Sequence, residues 1–179
     1  WLSDWSSDVC SSDLGVREVW IASRSAASAN ALVAHAHSLG LRACRVDDAN
    51  AALADCPLVV SATPAQAVTL RGTLRNDAFV AAVGAFTPRM VEWAPEVCQR
   101  MARVGTLVVD TRDADHEAGD LLQAGLDVAA MPTLADVVCN DDTNGYTQRP
   151  GPVFFKSCGW AGWDLAAARC VVAARGTGV

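Results

Sequence analysis

From residue 19 to residue 110, short apolar runs alternate with stretches of helical period, and turn-forming residues close each run. Val19-Trp20-Ile21-Ala22 gives way to Ser23-Arg24-Ser25, and apolar residues then recur at helical spacing over 26–39 before Gly40, which predicts strand, loop, helix and stop. Residues 41–46 predict a second strand and 49–54 a short helix. Leu58-Val59-Val60-Ser61 predicts a third strand, ending at Ala62-Thr63-Pro64. A fourth strand over 79–83 stops at Gly84, a helix led by Pro88 runs to about Arg100, and a fifth strand covers 106–110. Beyond Asp113 the pattern weakens, and a loop rich in Asp, Asn, Gly and Pro is expected over 140–152. Residues 153–157 read as a last strand and 162–174 as an Ala-rich helix with Asp164 in its first turn.

Strands that are apolar without alternation are buried on both sides, and their alternation with helices predicts an α/β fold with a doubly wound parallel sheet. Ligands of such sheets sit at the C-terminal strand ends. That places Ser23 to Ser25, Ser61 to Thr63, Gly84 to Thr87 and Asp110 to Arg112 in the candidate loops.

Composition narrows the class. The 179 residues are 51% apolar and 19% charged, enough for one ordinary core, and aromatic residues are only 6%, which favours small-residue packing of helices on a sheet. The net charge of −6, with no Lys/Arg cluster, argues against nucleic acid as a partner. No uncharged apolar run is long enough to span a membrane, and Asp4, Asp8 and Asp13 replace a basic leader, so neither membrane nor export is expected. The seven cysteines are scattered without C-x-x-C spacing. They read as small buried hydrophobes in a reducing cytoplasm, with no metal site.

Residues 1–14 repeat Ser-Ser-Asp without strand or helix period and change abruptly to globular sequence at Gly15, so they read as a non-native segment. The expected organisation is then 15–152 as a partial nucleotide-binding domain and 153–179 as a segment returning to a second domain.

Three ordered pieces carry a resemblance: Val83-Gly84-Ala85-Phe86-Thr87-Pro88-x-Met90-x-Glu92; the stretch from Val109-Asp110 to Glu117-Ala118-Gly119-Asp120-Leu121; and Phe155-Lys156-Ser157-x-Gly159-x-Ala161-x-x-Asp164-Leu165. In this order they resemble the ornithine cyclodeaminase/mu-crystallin family across residues 15–174. The resemblance implies a Rossmann-like domain, NADPH (or NADH) as cofactor, a homodimeric full-length parent, and a final helix belonging to a substrate and dimerisation domain. The Gly-rich turn expected before Gly15 is absent, as are the basic residues that would bind a substrate carboxylate. The expected sheet is therefore incomplete, with an open face and edge, and the chain is expected to be inactive alone.

At the end of the second strand of such folds an acidic residue favours NADH, whereas Arg with hydroxyl neighbours accommodates a 2′-phosphate. Ser23-Arg24-Ser25 therefore favours NADPH, although Ser25 also suits a plain helix cap. Ornithine cyclodeaminases carry a Gly-Gly-Asp-x-Pro-Gly-Lys-like loop whose Asp assists deamination. Here Phe86 stands in its place, and a phenyl ring can neither accept a proton nor orient water. The Ala-Phe-Thr-Pro form is similar to that of the Δ1-pyrroline-2-carboxylate/Δ1-piperideine-2-carboxylate reductases, which implies reduction of a cyclic imine carboxylate to proline or pipecolate. By that resemblance Thr63, Val83, Gly84, Ala85 and Phe86 contact the cofactor, and Lys156, Ser157 and Asp110 are the catalytic candidates. Asp110 at a strand end also suits a simple turn cap. Cyclodeaminase, alanine dehydrogenase and a mu-crystallin-like NADPH-dependent binding protein are the alternatives.

His35 and His37 lie two apart on one helix and cannot jointly ligate a metal. His116 sits in a polar stretch and reads as solvated, and Trp93, Trp160 and Trp163 read as packing residues.

Overall fold

The computed structural model describes residues 15–139 and 150–176. The opening segment 1–14 and most of the loop expected over 140–152 lie outside the described residues. The chain divides between Ala52 and Leu53 into two compact units.

The first unit is one strand-helix-strand turn. Strand β1 (Glu18–Ile21) lies parallel to β2 (Arg42–Arg45), Glu18 opposite Arg42 and Ile21 opposite Arg45, and helix α1 (Ala26–Ser38) connects them. A parallel pair needs such a crossover because its strands run the same way. The Ser25 Oγ accepts from the Ser28 N–H at 3.3 Å and so caps α1. The helix ends in a Schellman arrangement, with Leu41 N–H to Ala36 C=O at 3.1 Å and Gly40 N–H to His37 C=O at 3.0 Å. Gly40 takes φ +79°, a value that strains a side-chain-bearing residue. The unit has a thin core of Ile21, Ala29 and Ala36. The short helix α2 (Ala49–Ala52) follows, its first turn held by Asp48 Oδ1, which accepts from Asn50 N–H at 2.8 Å and Ala51 N–H at 3.1 Å.

The second unit holds a four-stranded, all-parallel sheet in the order β3-β4-β6-β5. Its strands are β3 (Leu58–Ser61), β4 (Phe79–Ala82), β5 (Thr106–Val109) and β6 (Val153–Lys156). Because β6 bonds to β4 on one side and β5 on the other, residues 153–156 belong to this sheet. Val59, Val80 and Phe154 face one core with Trp93, Cys98, Met101 and Leu121, and Trp93 meets Phe154 edge-to-face at 5.6 Å. The apolar run of β3 nevertheless alternates in burial: Val59 is buried and Val60 is 58% exposed. One face of the sheet is thus open at β3 and β4, as an incomplete doubly wound sheet requires.

Helix α3 (Pro95–Val104) starts seven residues after the Pro88 start expected from sequence. Thr87 to Met90 forms a turn instead, closed by Met90 N–H to Thr87 C=O at 3.1 Å. The next residues are extended: the Glu92 carbonyl accepts from Thr69 and Leu70 N–H at 2.9 and 2.8 Å, and Ala94 N–H donates to Leu70 C=O at 2.8 Å. Both prolines suit a first helical turn, but Ala94 before Pro95 is extended, as the pre-proline clash demands, and the helix begins only there. The weakly patterned stretch folds into α4 (Ala114–Glu117), α5 (Gly119–Gln123), a 3₁₀ turn (Val128–Ala130) and α6 (Leu134–Cys139). The last helix is α7 (Ala161–Gly176). Among the described residues no helix is long and apolar enough to cross a membrane. Of the cysteines expected to be buried, Cys98 is, but Cys44, Cys139 and Cys170 are exposed, because they sit on a thinly covered strand and on helices with open faces.

Candidate functional site

Strands β3, β4, β5 and β6 each deliver a polar or turn-forming residue at or just past the C-terminal end: Ser61 with Thr63, Gly84 with Ala85, Asp110, and Lys156 with Ser157. Parallel strands bring these ends to one edge of the sheet. Gly84 is demanded by close approach, since a Cβ there would run into the Thr63 backbone and the Glu92 carboxylate.

The centre of this edge is Glu92, which is fully buried. Its Oε1 accepts from the Thr63 N–H at 2.7 Å and the Thr63 hydroxyl at 2.9 Å. Its Oε2 accepts from the Gly84 N–H at 3.0 Å, the Ala85 N–H at 3.3 Å and the Ser61 hydroxyl at 3.3 Å. The Ser61 Oγ in turn accepts from the Trp93 indole N–H at 2.9 Å. A buried carboxylate is costly unless donors replace its water, and here two loops supply them.

Asp120 and Lys156, also without solvent exposure, continue the network. Asp120 Oδ1 accepts from the Glu92 and Trp93 backbone N–H groups at 2.6 and 2.9 Å, and Oδ2 faces the Lys156 ammonium at 3.3 Å. That second oxygen accepts no aligned hydrogen bond from the described residues, so charge alone compensates it. The Lys156 ammonium donates to the Ala85 carbonyl, and at longer range to those of Ala82 (3.4 Å) and Ser157 (3.3 Å). Asp110 is buried one strand away. Its Oδ2 accepts from the Ser157 hydroxyl at 3.0 Å and from Cys158 and Gly159 N–H at 2.6 and 2.8 Å, while Oδ1 takes the Thr111 N–H at 2.7 Å. Asp110 thus ties the end of β5 to the segment that follows β6. Burial pushes the Cys158 thiol up to about 12, the Lys156 charge opposing and Asp110 adding to the shift, which disfavours its thiolate.

With the Gly84 and Ala85 N–H groups held by Glu92 and the Ala85 carbonyl by Lys156, the loop after β4 turns its polar backbone inward. It presents Val83 and Phe86 outward, Phe86 at 52% exposure. Such a loop offers apolar contact to a ring. Of the residues expected from sequence to form a site, the structure brings Thr63, Val83, Gly84, Ala85, Phe86, Asp110, Lys156 and Ser157 to this one edge. Glu92 and Asp120 carry no role predicted from sequence; the signal that marks them is an acid embedded among apolar residues in Met90-Val91-Glu92-Trp93 and in Gly119-Asp120-Leu121.

In the first unit, Ser23, Arg24 and Ser25 are exposed between β1 and α1. The Ser23 hydroxyl accepts weakly from the Ser25 N–H at 3.4 Å, and the Arg24 guanidinium makes no hydrogen bond or ion pair with a described residue.

The model of the ornithine cyclodeaminase/mu-crystallin family matches residues 3–175, a span that begins inside the opening segment set aside above. A Δ1-pyrroline-2-carboxylate/Δ1-piperideine-2-carboxylate reductase of Azospirillum brasilense is 41% identical over 125 residues, covering 68% of this chain and 37% of that protein. Δ1-pyrroline-2-carboxylate reductase 1 of Burkholderia multivorans is 40% identical over 112 residues, covering 63% and 34%. The chain thus spans about a third of the length of these relatives. Among solved structures, the Thermococcus litoralis Δ1-pyrroline-2-carboxylate reductase in complex with NADH and L-proline shares the fold at a TM-score of 0.67 and 19% identity, over 80% of this chain and 45% of that one.

Proposed function

This chain belongs to the ornithine cyclodeaminase/mu-crystallin family, and from that membership we propose that it is the nucleotide-binding part of an NAD(P)H-dependent reductase of cyclic imine carboxylates. Its substrate is Δ1-pyrroline-2-carboxylate or Δ1-piperideine-2-carboxylate and its product proline or pipecolate, the chemistry named for the relatives at 40 and 41% identity. The observation that carries this reading is the loop after β4. Phe86 offers the substrate side an exposed phenyl ring where deamination needs an acid, and the loop's backbone polar groups already have partners.

A reduced nicotinamide, when bound, supplies the hydride that the imine carbon accepts. Val83 and Phe86 give its ring an apolar surface, which favours a neutral ring over a charged one. Thr63 borders the same edge. Lys156, Ser157 and Asp110 are spent on protein partners, so they hold the loops still instead of touching the reacting atoms. Arg24, with Ser23 and Ser25, takes a 2′-phosphate, so NADPH is preferred to NADH. We read the full-length protein as a cytoplasmic homodimer in which α7 packs on a second domain, a reading supported by its exposed Leu165, Val171 and Val172.

The test is NADPH oxidation by the full-length protein carrying this chain, with Δ1-piperideine-2-carboxylate and ornithine in parallel. Turnover of the imine without ammonia from ornithine is expected. Ammonia release from ornithine overturns the reading, and cofactor binding without turnover of either favours a binding protein of the mu-crystallin kind.

A further inference from the structure

The buried acids and Lys156 form a closed circuit around one loop. Starting at Ala85, its N–H is held by the Glu92 carboxylate at 3.3 Å. The Glu92 backbone N–H is held by Asp120 at 2.6 Å. Asp120 faces the Lys156 ammonium at 3.3 Å, and that ammonium returns to the Ala85 carbonyl. All three side chains are fully buried, and the loop they enclose carries the exposed Val83 and Phe86.

We infer that Glu92 is a positioning residue: through its two carboxylate oxygens it sets the spacing and orientation of Thr63 and of residues 83–86, and so the seat of the nicotinamide, with Asp120 and Lys156 locking it in place. The inference rests on the proposed reduction and adds a residue to it. Oε1 takes both donors of Thr63 after β3, while Oε2 takes the Gly84 and Ala85 N–H groups after β4 together with the Ser61 hydroxyl at the end of β3, so the carboxylate ties the two segments together. Five donors converge on it, namely the N–H groups of Thr63, Gly84 and Ala85 and the hydroxyls of Ser61 and Thr63. An amide of the same shape turns an NH₂ toward one set of donors and loses that loop. A core filler would not need two acceptor oxygens shared among donors of two segments, and a Cβ on Gly84 would run into that same carboxylate and the Thr63 backbone.

The experiment compares Glu92→Gln and Glu92→Asp with Met101→Ala, a fully buried core change with no hydrogen bond to either loop, in the full-length protein. NADPH binding is followed by nucleotide fluorescence without substrate, imine reduction by kcat and KM, and stability by Tm. Among variants of similar Tm loss, the Glu92 changes are expected to weaken NADPH binding by about tenfold and lower kcat by up to about 100-fold, as misplacement of reacting groups does. Met101→Ala is expected to keep both within about twofold, as a remote core change does. Equal cofactor affinity and kcat in Glu92→Gln and Met101→Ala at matched stability overturn the inference while leaving the reductase reading intact. If wild type binds cofactor but reduces no imine, the reductase reading fails alone, because the fluorescence arm still decides the role of Glu92. If wild type binds neither NADPH nor NADH, both fall.

Discussion

The Lys156 ammonium lies 3.3 Å from Asp120 Oδ2 with both side chains entirely removed from solvent. Removing one partner of such a pair strands the other charge, which costs about 3–5 kcal/mol, whereas removing both costs far less. Lys156→Met is therefore expected to be strongly destabilised, and Asp120→Asn with Lys156→Met to recover much of the loss. Urea unfolding of wild type, the two single variants and the double variant closes the cycle. Additive losses would show that the two charges do not interact.

Gly84 is a tight point of the same edge, its missing Cβ occupied by the Thr63 backbone and the Glu92 carboxylate. Gly84→Ala forces one strand end or the acid to move, and overpacking of this kind costs about 1–3 kcal/mol. Thermal unfolding is expected to show the loss, together with weaker cofactor binding, since both loops shift.

How much of this was legible beforehand follows from the length scale of each feature. The strands were readable because runs such as Leu58-Val59-Val60-Ser61 are local and bounded by turn residues, and Gly40 announced the end of α1 by its αL preference. The start of α3 was misread because Pro88 and Pro95 carry the same local signal. Contacts with Ala65 and Leu70, distant in sequence, hold residues 91–94 extended. The placement of β6 between β4 and β5 is a matter of topology, which apolar periodicity does not encode. Glu92 and Asp120 escaped for a related reason. A charged side chain read locally is a surface residue, and only the fold brings Asp120 under Glu92 and beside Lys156.

Arg24 is exposed and has no partner among the described residues, so its removal should leave the fold untouched and act on the ligand alone. A charge-assisted bond to a phosphate contributes about 1.5–3 kcal/mol. Arg24→Ala is thus expected to raise the NADPH KM by about tenfold or more while changing that for NADH little. Parallel titrations with the two nucleotides check it, and an equal effect on both would show that Arg24 does not read the 2′-phosphate.

The cysteines should sort by environment. Burial pushes Cys98 and Cys158 up to about 12, with Asp120 reinforcing the shift at Cys98 and Lys156 opposing it at Cys158. Cys44, Cys139 and Cys170 are exposed. Alkylation of the native protein at mildly alkaline pH is expected to label those three first, with Cys98 and Cys158 reacting only after denaturation. Peptide mass mapping reads the order, and early labelling of Cys98 would mean that the core around Trp93 opens readily.

Phe86 provides the sharpest separation of fold from chemistry. Its ring is 52% exposed, so Phe86→Asp removes little buried area and should change Tm only slightly. Its backbone neighbours remain held by Glu92 and Lys156, which keeps the new carboxylate at the loop tip. A negative charge there draws water to the loop and opposes the apolar surface proposed for the nicotinamide, so imine reduction should fall by about tenfold or more, in line with the loss of a well-placed contact. Steady-state kinetics with Δ1-pyrroline-2-carboxylate, paired with circular dichroism melts, measure both effects. Unchanged reduction would place the hydride-transfer surface elsewhere than this loop, and ammonia release from ornithine by the variant would show that this one position separates the two chemistries.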